Sequence, residues 1–193
     1  MIVQRETDRE WEYFLHLEDD LVRLSSFIEL EESNFGCFSV EIVKQILAAG
    51  SELDVTLKEL CKVKSGGACR DIKAYQKTVC KSYSDFHELR AEIVGYGLSF
   101  KPWTNWKQAV SPDWWGAYNA VKHDRGAKFK EANLGNLLNI MAALYLVKCL
   151  VVIEERVIKN PILRASMMTI QPKPKLFSSQ DWFMRGVMHE SAY

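Results

Sequence analysis

The feature that most constrains this chain is the apolar run from Leu134 to Ile153, the longest in its 193 residues. A segment that hydrophobic either crosses a bilayer or is wrapped by the rest of the chain. A spanning helix needs about 20 apolar residues with few or no charges. Here Asn136, Asn139 and Lys148 interrupt the run. It is therefore expected to be a core helix, running from near Ala132 to about Val157, with no membrane as partner. A helix that is apolar on most sides needs other helices around it, and the rest of the sequence supplies them.

Thr7-Asp8-Arg9-Glu10 has the form of a capping box and predicts the start of a first helix. Phe14, Leu17, Leu21, Leu24 and Ile28 then recur at steps of three and four, and Asn34-Phe35-Gly36 is expected to end it. Ser39 can cap a second helix whose stripe is Val43, Ile46, Gly50, Leu53, Leu57 and Leu60. Glycine on a core stripe costs about 1 kcal/mol of helix propensity, which predicts a neighbour packed closely against bare backbone there. Ser65-Gly66-Gly67 is a turn, and Ile72, Tyr75 and Val79 mark a shorter third helix.

From Ser84 to Trp106 the pattern changes to short extended pieces around Gly95, Gly97 and Pro102. A fourth helix begins at Ser111-Pro112-Asp113, with Ser111 or Asp113 as its cap. It runs to about Arg125, where Gly126 offers a left-handed stop. Asn160-Pro161 and Pro172-Lys173-Pro174 mark the exit from the last long helix, and a final helix is expected after Ser178 or Ser179. The expected fold is all-α, a helical bundle of about five helices with a small irregular or β-hairpin-like insertion. It is one domain over 1–193: a bundle over about 7–160, the insertion over about 84–106 and a C-terminal appendage over about 161–193.

Lys+Arg and Asp+Glu balance at 25 each, so no global field draws nucleic acid or anionic lipid, and any such binding has to be local. The five cysteines are odd in number and contain no Cys-x-x-Cys, which points to free thiols in a reducing, cytoplasmic compartment. Met1 to Glu10 is mostly charged and polar, so no secretory leader is expected. His16, His87, His123 and His189 are widely separated and no cysteine pair has zinc spacing, so neither metal nor other cofactor is expected. No phosphate-loop or dinucleotide motif occurs.

The densest cluster of reactive side chains is Trp114-Trp115-Gly116-Ala117-Tyr118-Asn119-Ala120-Val121-Lys122-His123-Asp124-Arg125. On a helix, Trp115, Asn119 and Lys122 or His123 share a face, while Tyr118, Lys122 and Arg125 line the adjacent one. Lys128 and Lys130 extend the positive charge. An imidazole beside cations suits a phosphate ester: the ring takes a ribose 2′-hydroxyl proton and a cation stabilises the developing phosphorane. His123, Asn119, Tyr118 and Arg125 are the candidate catalytic residues, with Lys122, Trp115 and Lys128 as candidate ligand contacts. The same residues also suit plainer roles. Trp114 and Trp115 make good core anchors, His123 gains from a helix C-terminus, and the cations form a solvated face. Asp54, Lys58, Glu52 and Glu59 offer a carboxylate that could orient His123, or only an exposed ion pair.

Tyr118-Asn119-Ala120-Val121-Lys122-His123, followed by the apolar helix from Asn133, resembles the HEPN superfamily of small helical bundles in bacterial toxin–antitoxin and phage-defence systems. Asn119 and His123 match that family's ribonuclease motif, whereas Tyr118 stands where its Arg belongs. The stretch from Pro102-Trp103 through Trp106, then Trp114-Trp115 to Arg125, also resembles a recurring group of bacterial proteins. The superfamily resemblance implies an all-helical fold, a homodimer with paired motifs facing a shared cleft, and RNA or a nucleotide as ligand, while Tyr118 in the Arg position leaves metal-independent endoribonuclease activity open. Two functions stay open at this point: RNA or nucleotide binding at the Asn119/His123 face, with or without cleavage, and a non-catalytic module holding an antitoxin-like protein partner.

Overall fold

The computed structural model describes residues 2–159 and 173–180. Six helices form the scaffold: α1 (Ile2–Ser25), α2 (Val40–Ser65), α3 (Ile72–Ser82), α4 (Asp113–His123), the single-turn α5 (Arg125–Lys128) and α6 (Leu134–Lys159). Short 3-10 turns link them at Glu32–Asn34, Phe86–Glu88, Thr104–Gln108 and Phe129–Glu131. A small antiparallel sheet of β1 (Ala91–Ile93), β2 (Leu98–Phe100) and β3 (Phe177–Ser178) is ordered β2-β1-β3. The expected helical bundle with a hairpin insertion is what the chain forms.

At the centre lies α6, packed chiefly on α2. Its Leu134–Glu155 stretch is long and apolar enough to cross a membrane by composition, yet 83% of the apolar window is buried within the fold. Lys148, 1% exposed, is accommodated because its Nζ lies 2.6 Å from Glu52 Oε1 and 3.0 Å from Glu10 Oε2. Every residue of the α2 stripe is buried, and Ser39 Oγ accepts from Ile42 N at its start. Gly66, at φ 66°, takes the left-handed position that ends α2, a conformation that favours glycine. Gly50 meets Tyr118 of α4: a Cβ built there would sit 2.4 Å from Tyr118 Cδ2. The close neighbour expected from the stripe is this ring.

Several boundaries differ from expectation. Helix α1 begins at Ile2, so Thr7 lies inside it rather than at its cap, and it ends at Ser25, short of Asn34-Phe35-Gly36. Helix α4 stops at His123 because Asp124 leaves helical geometry at φ −141°, ψ 66°. Arg125 therefore opens α5 instead of extending the α4 face, and Gly126 lies within α5 rather than serving as a left-handed stop. Pro112 holds the N-cap position of α4, with no side-chain cap from Ser111 or Asp113. The hairpin falls inside the expected insertion, with Ala91 opposite Phe100, and Gly95 and Gly97 both take positive φ in its turn.

The C-terminal appendage contributes what the sequence did not announce, a third strand. Ile93 pairs with Phe177 and Glu92 with Ser178. The expected helix after Ser178 or Ser179 falls mostly outside the described residues. The strand is held by Glu18, fully buried on α1, whose two oxygens accept from Lys175 N at 2.8 Å, Leu176 N at 2.8 Å and Phe177 N at 3.1 Å. Phe177 then enters an aromatic cluster with Tyr145 and Phe14, at centroid distances of 5.8 and 6.2 Å. Glu18→Ala strands three amides without their acceptor and is expected to cost about 3 kcal/mol. Hydrogen exchange at residues 175–178 checks it: protection there should be lost before that of α2 or α6, and unchanged protection refutes the role given to Glu18.

Candidate functional site

The double-tryptophan segment divides between core and surface. Trp114 is buried and donates its indole N–H to Pro102 O at 2.7 Å. Its ring meets Trp103 edge-on at 5.1 Å, and Trp103, Trp106 and Phe86 complete an aromatic knot beneath α4. Trp115 is half-buried, with its ring 5.5 Å from that of Tyr118. Tyr118 is 3% exposed and faces Gly50. Tyr118 therefore belongs to the packing of α4 on α2, and its ring is not part of an accessible face.

Asn119 is half-buried, and its amide donates to Trp115 O at 2.9 Å, one helical turn back. That bond occupies one of the two amide hydrogens. His123 is exposed in the last turn of α4, and among the described residues no hydrogen bond or ion pair engages it. Its ring therefore lacks the orienting acceptor that a general base normally has. Lys122 is exposed and lies 5.4 Å from the centroid of the Tyr118 ring. Arg125 and Lys128 are exposed on α5, where Asp124 is occupied as a cap, its Oδ1 accepting from Ala127 N at 3.2 Å.

The structure thus gathers Lys122, His123, Arg125 and Lys128 on one exposed corner and turns Tyr118 inward. It also adds a neighbour that the sequence pattern did not single out. Phe38, half-exposed, meets Phe129 edge-on at 6.0 Å, and Lys130 Nζ lies 5.9 Å from the Phe38 centroid. Phe38 reaches this corner because its backbone forms a β-bridge with Asn133 at the start of α6. No local pattern around Phe38 marks it, since its role arises from a contact across about 95 residues of chain.

The carboxylates considered as orienters of His123 have other partners. Asp54 accepts from Lys58 Nζ at 2.5 Å and from the Tyr75 hydroxyl at 2.8 Å, while Glu52 is paired with Lys148. Glu59 lies beside Glu10 and has a buried oxygen, Oε2, with no donor. Desolvation first, then the neighbouring Glu10 carboxylate, pushes Glu59 up to about 7. The described residues contain no group of three or more potential metal ligands.

Comparison of this chain with known protein families, with curated proteins and with solved structures finds no match, so its own geometry carries the functional reading.

Proposed function

We propose that the corner formed by the end of α4, α5 and the Phe129–Glu131 turn is a binding face for RNA, engaged through its phosphates and held without bond cleavage. The observation that supports it is the exposure of Lys122, His123, Arg125 and Lys128, which make no ion pair among the described residues, in a chain whose overall charge is zero. Between residues 122 and 131 there are four Lys or Arg against Asp124 and Glu131. The patch is therefore locally positive, as backbone recognition requires. Binding is favoured over cleavage because His123 lacks an orienting partner and no cation takes the inward position of Tyr118.

The test is titration of a fluorescently labelled single-stranded RNA at several salt concentrations with EDTA present. Four phosphate contacts predict a log–log salt slope of about −3, falling to about −1 in the triple variant Lys122→Glu, Arg125→Glu, Lys128→Glu. Equal affinity of wild type and triple variant overturns the assignment of this face. RNA cleavage that disappears in His123→Ala overturns the absence of chemistry.

A second reading, docking of a protein at the α1–α2 edge, has its own support. Phe27 is 86% exposed at the mouth of an open groove of about 810 Å³, also lined by Leu24, Ile28 and Ala48. Gln45, 6% exposed, borders the same groove with its Oε1 lacking a donor. The partner that this reading assigns to the edge is a second copy of this chain, in an interface distinct from the paired-motif cleft that the family resemblance implies. Sedimentation equilibrium of wild type and Phe27→Glu decides it, since a dimer that persists in the variant places the interface elsewhere.

A further inference from the structure

Two cysteines lie at and just beyond the C-terminal end of α2. Cys61 is fully buried one turn before the helix ends. The turn at Gly66 then reverses the chain and returns half-buried Cys69 over that last turn, just ahead of Asp71, which caps α3. Cys69 Sγ lies 3.3 Å from Thr78 Oγ1 and 3.7 Å from Ala74 O. The Cys69 thiol and the Thr78 hydroxyl are also the polar side chains that neighbour Cys61. Two sulfurs and one hydroxyl thus share a single site between α2 and α3.

The two thiols differ in access. A surface cleft of about 330 Å³, lined by Lys58, Glu59, Lys62, the Gly66–Gly67 turn and Ala68, reaches Cys69, whereas Cys61 lies behind its wall. We propose that Cys61 and Cys69 are a peroxide-responsive pair, in which Cys69 is oxidised first and Cys61 resolves it to an intramolecular disulfide. In the first step the Cys69 sulfur attacks hydrogen peroxide. A sulfur–oxygen bond forms, the peroxide bond breaks, and the products are Cys69 sulfenic acid and water. In the second step the Cys61 sulfur attacks the Cys69 sulfur. The sulfur–oxygen bond breaks, and the departing hydroxide takes the Cys61 proton and leaves as water. Cys69 loses two electrons to the peroxide, and a thiol reductant restores both groups.

The order of events follows from access, since the cleft reaches Cys69 and not Cys61. Burial pushes the Cys61 thiol up to about 12, so it keeps its proton until the departing hydroxide removes it in the second step. Disulfides that form in a reducing compartment are usually transient and redox-sensing. The oxidised form would tie the end of α2 to the loop before α3 and narrow the cleft between them.

The experiment treats the full-length reduced protein with hydrogen peroxide, blocks remaining thiols and maps tryptic peptides by mass. The expected product is Glu59–Lys62 joined to Ser65–Arg70, lighter by two hydrogens than their sum and separated again by dithiothreitol. Cys61→Ser is expected to leave a dimedone-reactive sulfenic acid on Cys69, and Cys69→Ser to give neither product. Peroxide-treated wild type in which the two peptides stay separate, or in which Cys61 is joined to a different cysteine, overturns the proposal. The wild-type map decides by itself, so a poorly folded Cys61→Ser protein neither rescues nor sinks it.

Discussion

Gly50→Ala should lower the stability of this protein by about 2 kcal/mol, against the usual direction of a glycine-to-alanine change inside a helix. A Cβ at that position would stand 2.4 Å from Tyr118 Cδ2 and 2.7 Å from both Cε2 and Cγ. All three are below van der Waals contact, and Cγ lies at the root of the ring, where no rotation about χ2 relieves it. The ring cannot retreat easily, because Tyr118 is buried and Trp115 lies against it. Overpacking of this kind costs typically 1–3 kcal/mol and occasionally more, partly offset by about 1 kcal/mol of helix propensity.

For a chain of this size 2 kcal/mol corresponds to a melting temperature lower by roughly 4–8 °C. Gly116→Ala is the control: nothing lies within 4 Å of its added methyl group, and it should be stabilising by up to about 1 kcal/mol. A double-mutant cycle with Tyr118→Ala should show a coupling above about 1 kcal/mol, because removing the ring removes the clash. If Gly50→Ala melts at or above wild type, α4 does not pack on α2 as described.

Lys148→Met should cost about 3 kcal/mol at neutral pH, since it leaves Glu52 buried without its cation beside Glu10 and Glu59. The loss should shrink on acidification, as protonated carboxyls need no counter-charge. The wild type should carry a related pH dependence through Glu59. Its carboxyl binds a proton more tightly folded, at about 7, than unfolded, at its ordinary 4.5. The stability from this difference is complete below about pH 4.5 and is lost as pH rises through 7. Because Glu59 is only part-buried, the effect is on the order of 1 kcal/mol after solvent screening. Urea unfolding at pH 5, 7 and 8 tests both expectations. Glu59→Gln should be more stable than wild type at pH 8 and similar to it at pH 5, and parallel profiles would remove Glu59 as the titrating group.

The two variants probe what periodicity reads well and what it reads poorly. The stripe on α2 predicted both its buried face and a close neighbour at Gly50, because three-four spacing reports directly which side of a helix is apolar. It could not name the neighbour. On α4 the same reasoning placed Tyr118 with Lys122 and Arg125 on the face beside that of Asn119 and His123, yet the ring turned into the core. Aromatic, small and polar residues are distributed around that helix, so no face of it is marked as inward by composition. The end of the helix was misread for a similar reason: Asp124, which leaves helical geometry, resembles an ordinary exposed carboxylate until its cap to Ala127 is seen. Glu52 and Glu59 looked like solvated neighbours of an ion pair, and burial between α1, α2 and α6 changed their chemistry.

What the sequence by itself determined is local and periodic: helix identity, the Ser39 cap, the glycine turn after α2, the position of the hairpin and the burial of the apolar run. These follow from hydrogen bonding and side-chain spacing over a few residues. Only the tertiary structure decided that Glu18 captures a strand about 160 residues away, that Lys148 gathers carboxylates from two helices, and that Cys61 meets Cys69. It also decided which half of the double-tryptophan segment faces water. Each of these depends on how helices dock, and docking is set by the summed shape of many side chains rather than by any one stretch of chain.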